Sequence, residues 1–125
     1  MTSEQALIQF FKSFGVPAYE ENSVPTGENA PEYPYITFSL AIDGFGAETA
    51  LDASVWTRST SWSEANDVLK NISDRIGMGG KMLRCDDGAV WLKKGSPFAQ
   101  PMGDPSDNMI KRNYINLTAE FITAS

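Results

Sequence analysis

The chain contains no histidine and a single cysteine, Cys85. Without histidine it lacks the side chain that most often serves as general base or metal ligand near neutral pH. One thiol without histidine argues against a conventional zinc site, and a single cysteine excludes an intrachain disulfide. A fold without disulfides fits a reducing compartment such as the cytosol. No apolar run approaches the roughly 18–20 residues that span a bilayer. The first residues lack a basic stretch followed by an apolar one, so no signal peptide is expected. Bases are also scarce, with 10 Lys and Arg against 16 Asp and Glu for a net charge of −6. That sign opposes nucleic-acid binding, which draws much of its affinity from neutralised phosphates.

Catalytic motifs are missing too. There is no G-x-x-x-x-G-K-[ST] phosphate loop and no G-x-S-x-G elbow. Gly77-Met78-Gly79-Gly80 follows a helical pattern instead of opening one, and reads as a helix stop, not an anion cradle. Asp86-Asp87 and the Asp104/Asp107 pair fall in turn sequences, where Asp bonds its own backbone. Cys85 falls in a strand pattern and reads as a small, buried or half-buried hydrophobe. The expectation is a protein with no catalytic residues, no cofactor and no metal, and hence not an enzyme.

What is present is enough apolar content, 42% of 125 residues, to build one domain with a real core. Thr2-Ser3-Glu4-Gln5 has capping-box spacing, followed by Leu7, Ile8, Phe11 and Phe14 at helical intervals and a stop at Gly15 and Pro17. Residues 20–34 read as a Pro-rich loop, either functional or mobile. From Tyr35 the period is two, with Ile36, Phe38, Leu40 and Ile42 on one face and Tyr35, Thr37, Ser39 and Ala41 on the other. Asp43-Gly44-Phe45-Gly46 then signals a hairpin, and Thr49, Leu51, Ala53 and Val55 share a face on the return.

Ser61 and Glu64 have the spacing of a second capping box. The helix that follows carries Ala65, Val68, Leu69, Ile72 and Ile76 on one stripe. Lys81 to Cys85 and Ala89 to Lys93 read as a hairpin, residues 95–108 as a second long loop, and Ile110 to Ile122 as the last strand. The fold class predicted is α+β, a single domain over residues 1–125 in the order α-β-β-α-β-β-β. Two helices pack on one face of a mainly antiparallel sheet.

Charge is unevenly spread. Residues 1–54 hold eight acids and one base, Lys12, whereas residues 55–125 hold nine bases and eight acids. Such asymmetry describes either a solvated acidic surface or a contact between subunits. Phe98 and Met102 in the 95–108 segment also have two readings. Either the segment folds back and tucks Phe98 into the core, or these two, with Trp56 or Trp62, anchor into another subunit.

Four stretches carry a resemblance. They are Ala30-Pro31-Glu32-Tyr33-Pro34-Tyr35-Ile36-Thr37-Phe38, the Val55–Trp62 junction, Val90-Trp91-Leu92-Lys93-Lys94-Gly95-Ser96-Pro97-Phe98-Ala99-Gln100-Pro101-Met102, and Ile110-Lys111-Arg112-Asn113-Tyr114-Ile115-Asn116. In this order the sequence is similar to tail terminator proteins of long-tailed bacteriophages and prophages, also called tail completion or minor capsid proteins. The resemblance implies an α+β subunit of a homo-hexameric ring at the head–tail junction of the virion, assembled in the host cytoplasm. Such a ring caps the tail tube, stops polymerisation of the major tail tube protein and presents a surface to a head–tail connector or head-completion protein. It implies no catalytic residue, membrane or sequence-specific nucleic acid.

The interface candidates are Trp56, Arg58, Trp62, Lys93, Lys94, Phe98, Met102, Lys111 and Arg112. A cluster of Lys93, Lys94, Lys111 and Arg112 is expected to oppose the acidic N-terminal half across a heterologous contact. The competing readings are another neck or head-completion protein and a small ligand-binding domain.

Overall fold

A computed structural model describes residues 1–39, 48–86 and 88–123, with Glu48 and Thr123 described through their backbone. The elements are helix α1 (Ser3–Lys12), strand β1 (Ala18–Glu20), a 3-10 turn (Gly27–Asn29), β2 (Tyr35–Phe38), β3 (Glu48–Arg58), helix α2 (Ser63–Ile76), β4 (Lys81–Cys85), β5 (Gly88–Asp104) and β6 (Asp107–Thr123). The strands form one six-stranded sheet in the order β1-β2-β3-β6-β5-β4. Among the described residues only the β1–β2 pair is parallel. Mixed α and β content in a single domain, with the sheet dominant, agrees with the sequence.

The Thr2 capping box forms as its spacing predicts. Thr2 Oγ1 accepts the Gln5 N–H at 3.1 Å, and Gln5 Oε1 accepts the Thr2 N–H at 2.9 Å. The α2 stripe is also in place. Ala65, Ile72 and Ile76 are buried, Val68 and Leu69 lie half-buried against the core, and Gly77 ends the helix at φ 73°.

One hydrophobic cluster joins Leu7, Phe10 and Phe11 of α1 and Ile72 and Ile76 of α2 to alternate residues of the strands. These include Ile36 and Phe38 of β2, Leu51, Ala53 and Val55 of β3, and Ile115, Leu117, Ala119 and Phe121 of β6. Alternation puts all of them on one face, because successive strand residues point to opposite sides. The Phe11 and Phe38 rings stack at 4.7 Å where α1 meets this face.

The structure corrects four expectations. Residues 95–108 are not a loop: β5 and β6 run as a long antiparallel hairpin whose ladder reaches Asp104↔Asp107, with a register shift between Lys94 and Ala99. Three residues after Pro17 add a strand, β1, ahead of the first one expected. The 20–34 stretch contains a short 3-10 turn. The Ser61/Glu64 capping box does not form, because α2 starts at Ser63 with Trp62 at its N-cap and no side-chain cap bond. Ser61 Oγ instead accepts the Ser63 N–H at 3.1 Å, a bond two residues ahead that closes a turn where a cap would reach the third helical residue. The hairpin signal at Asp43-Gly44-Phe45-Gly46, with Leu40 and Ile42, lies outside the described residues.

Candidate interaction surface

The face of the sheet opposite the core carries an unusual concentration of aromatic rings around one arginine. Alternation along β3 that buries Ala53 and Val55 turns Asp52, Ser54 and Trp56 to this side, and Arg112 and Tyr114 of β6 join them. Tyr35 and Thr37 of β2 complete the row, since Tyr35 pairs with Trp56 in register. The Tyr35 and Trp56 rings lie 6.2 Å apart and nearly parallel, and Tyr19 and Tyr33 contact Tyr35 at 6.4 and 5.3 Å.

Arg112 is the hub. Its guanidinium lies 4.8 Å from the Trp56 ring centre and 5.3 Å from that of Tyr114, and its Nε donates to Ser54 Oγ at 2.9 Å. Trp56 Nε1–H donates to Thr37 Oγ1 at 2.9 Å, and the Tyr114 hydroxyl donates to Asp52 Oδ2 at 2.8 Å. The bond to Asp52 is the main reason the Tyr114 pKa is raised above its ordinary value, followed by burial and the Asp52 charge, with Arg112 pulling the other way. Burial raises the Tyr35 pKa, and Tyr33 beside it adds to the effect. Both shifts favour the neutral phenol.

Toward the hairpin tip the same face forms an open groove lined by Trp56, Met102, Asp104, Pro105, Ile110 and Arg112. Met102 is 42% exposed there. Arg58, at the end of β3, bonds Asp107 through Nε at 3.2 Å and so ties β3 to the start of β6. Three of the candidates read from the sequence, Trp56, Met102 and Arg112, thus meet in one place, with Arg58 on the same face.

The others lie elsewhere. Lys111 sits above the Trp62 ring at 5.6 Å, one step along β6 and so on the opposite face from Arg112. Lys94 lies 5.5 Å from the centre of the Phe98 ring, and Phe98 is half-buried against the core cluster. Lys93 stacks over Trp91 at 4.4 Å. Lys94 pairs with Leu117, five residues along β6 from Arg112, or about 17 Å at the rise of a strand. Lys93, Lys94, Lys111 and Arg112 are therefore not one patch. Sequence reasoning missed Asp52, Ser54 and Tyr114, although the two-residue period that identified the core stripes also assigns them to the opposite face.

Among the described residues no group of three or more His, Cys, Asp or Glu is arranged to hold a metal. No helix among them is long and apolar enough to cross a membrane. The open face pairs rings with a guanidinium, a composition suited to burying a partner's surface. Compared with known proteins, the chain matches no family model, and none of the curated proteins matches it.

Proposed function

We propose that this protein is a non-catalytic subunit of a virion assembly of the tail-terminator kind. In this reading copies of the chain form a ring on the end of a phage tail tube. The ring halts addition of the major tail tube protein and offers its far side to a head–tail connector or head-completion protein. Residues of both helices join the one core cluster, and in this reading the aromatic face and the strand edges are left for neighbouring subunits.

The observation that most supports the reading is the β5–β6 hairpin. Its outer half extends beyond the register of β4, which pairs only as far as Leu92. It carries Pro101, Met102, Gly103, Pro105 and Ser106 exposed beside the Trp56 groove. These tip residues lie outside the core cluster, and such an exposed tip is useful when it lies against another molecule.

Light scattering of the full chain, alone and with purified tail tube protein, tests the proposal. A ring-sized species or a complex with tube ends is expected. A strict monomer at high concentration that leaves tube growth unchanged refutes it. Location in the virion by electron microscopy separates a terminator from another neck component.

A further inference from the structure

The two edges of the sheet carry opposite charge. At one edge β1 runs into residues 20–33, where Glu21, Glu28 and Glu32 are exposed. None of the three has an ion-pair partner among the described residues. No Lys or Arg occurs between Lys12 and Arg58. At the other edge, β4 and helix α1 enclose a groove with Phe10, Met82 and Leu83 among its apolar lining and Arg75, Lys81 and Arg84 as its cations. Met82 is 49% exposed.

Lys81 and Arg84 likewise have no ion-pair partner among the described residues. Arg75 is held at one end of the groove by Ser13 Oγ at 2.5 Å and by the Phe14 ring. Asp86, the acid closest in sequence to Arg84 among the described residues, is occupied by the N-terminal ammonium at 2.5 Å. By strand alternation Lys81 and Leu83 face the helix side of this edge and Met82 and Arg84 the other, so the two cations without ion-pair partners flank the β4 edge from both sides.

We infer that this α1–β4 groove takes the acidic 21–33 segment of a second copy of the chain, so that one edge of the sheet docks on the opposite edge of the next. The inference names the contact within the assembly proposed above and rests on that reading. A molecule cannot make the contact with itself. Edge to edge the six strands span five interstrand spacings of about 4.8 Å, or about 24 Å. Two different patches meeting in this way form a heterologous interface, which repeats from copy to copy and closes into a ring or runs on as a filament. Glu28 and Glu32 supply charge to Lys81 and Arg84, and Tyr33, 37% exposed, supplies a ring to the Met82 side of the groove, a favourable thioether contact.

The test is sedimentation of the full chain over a range of ionic strength, with two charge-reversed variants. Lys81→Glu/Arg84→Glu makes both edges acidic, and Glu28→Lys/Glu32→Lys makes both basic. Each variant alone is expected to associate at least about tenfold more weakly than the wild type, as for reversal of close charge pairs. An equimolar mixture is expected to recover association, because each variant's segment then meets an oppositely charged groove. Wild-type association should also weaken as salt rises. Folding of each variant is verified by circular dichroism and urea unfolding, and the salt series needs no substitution at all. If the wild type associates but neither reversal nor salt changes it, the edge contact is wrong and the assembly reading survives. If the wild type stays monomeric with and without tail tube protein, both fail.

Discussion

Replacing Arg112 by alanine tests whether the aromatic face is held together internally or stands open for a partner. The side chain makes two ring contacts, at 4.8 and 5.3 Å, and one hydrogen bond, at 2.9 Å. Each cation–π contact at a half-exposed site contributes about 0.5–1 kcal/mol. Removing the Nε donor strands the Ser54 hydroxyl, which is only 3% exposed, at a cost of about 1–3 kcal/mol. Together these predict a loss of about 2–5 kcal/mol for Arg112→Ala, or a fall in Tm of the order of 10 °C for a domain of this size.

Arg112→Lys should fall between, since an ammonium keeps the charge but lacks the flat surface that stacks on two rings. The assay is urea unfolding at low protein concentration and high salt, which removes any contribution from association. A double-mutant cycle with Trp56→Leu isolates the ring contact and should give a coupling of about 0.5–1 kcal/mol. A loss below about 0.5 kcal/mol with no coupling refutes the reasoning. The guanidinium would then be free, and Arg112 would belong with the groups available to a neighbour.

Three other substitutions probe separate parts of the fold. Tyr114→Phe removes the bond to Asp52 and should cost about 1 kcal/mol at pH 7. The Tyr114 pKa is raised from 10.0, so this stabilisation is fully present below about pH 10 and lost as pH rises through the folded-state value. The gap between wild type and Tyr114→Phe in alkaline urea titrations should close accordingly, and a constant gap argues against the bond. Thr57→Val removes a fully buried hydroxyl without a partner among the described residues and should stabilise by about 1 kcal/mol in thermal melts, whereas a loss implies that the hydroxyl is bonded. Gly80→Ala places a Cβ 2.8 Å from the Leu92 carbonyl oxygen at φ +86° and should destabilise by about 2 kcal/mol or more. A neutral effect would mean that the β4–β5 hairpin yields there.

The parts of this fold that were legible in the sequence are those where one periodicity ran long enough to dominate. Ala65, Val68, Leu69, Ile72 and Ile76 define α2 because their spacing gathers them into one stripe on a helix, whereas on a strand it would scatter them over both faces. Ile115, Leu117, Ala119 and Phe121 define β6 by the complementary logic of period two. The start of α2 misled because Ser61-x-x-Glu64 satisfies the capping pattern locally. There the backbone is still tied to the sheet, with the Ser59 N–H donating to the Met109 carbonyl at 2.8 Å, and the helix begins two residues beyond Ser61.

The 95–108 segment misled for a different reason. Pro97, Pro101 and Pro105 lack an N–H and read as strand breakers, which holds for a strand with neighbours on both sides. Beyond the end of β4, however, β5 has a single neighbour, β6, and can turn its missing donors to the open side. Pro101 pairs in register with Asn113, and the shift between Lys94 and Ala99 absorbs Gly95, Ser96 and Pro97. Strand β1 is three residues long, too short for any period to show. Of the candidate surface, the sequence singled out Trp56, Arg112 and Met102 as prominent side chains. Their convergence depends on β6 lying between β3 and β5, an order that no local pattern encodes.

That strand order also bears on the contact proposed with a second copy. Phe98 is half-buried against the core cluster, so Phe98→Asp would destabilise the subunit as well as perturb any contact its exposed part makes. The rings of the open face are bonded to one another and to Arg112. Lys94 and Lys111 rest on aromatic faces of their own molecule. The two sheet edges, by contrast, hold charges without ion-pair partners among the described residues, in Glu21, Glu28 and Glu32 on one side and Lys81 and Arg84 on the other. Contacts built from such charges are individually weak and sensitive to salt. A closed ring overcomes this, because the last contact forms within an assembly already linked through all the others, at a high effective concentration. Association through these edges should therefore be steeply cooperative. Chains should go from monomer to complete ring over a narrow concentration range with few intermediates. A gradual ladder of dimers, trimers and longer species in sedimentation would instead point to a contact that does not close.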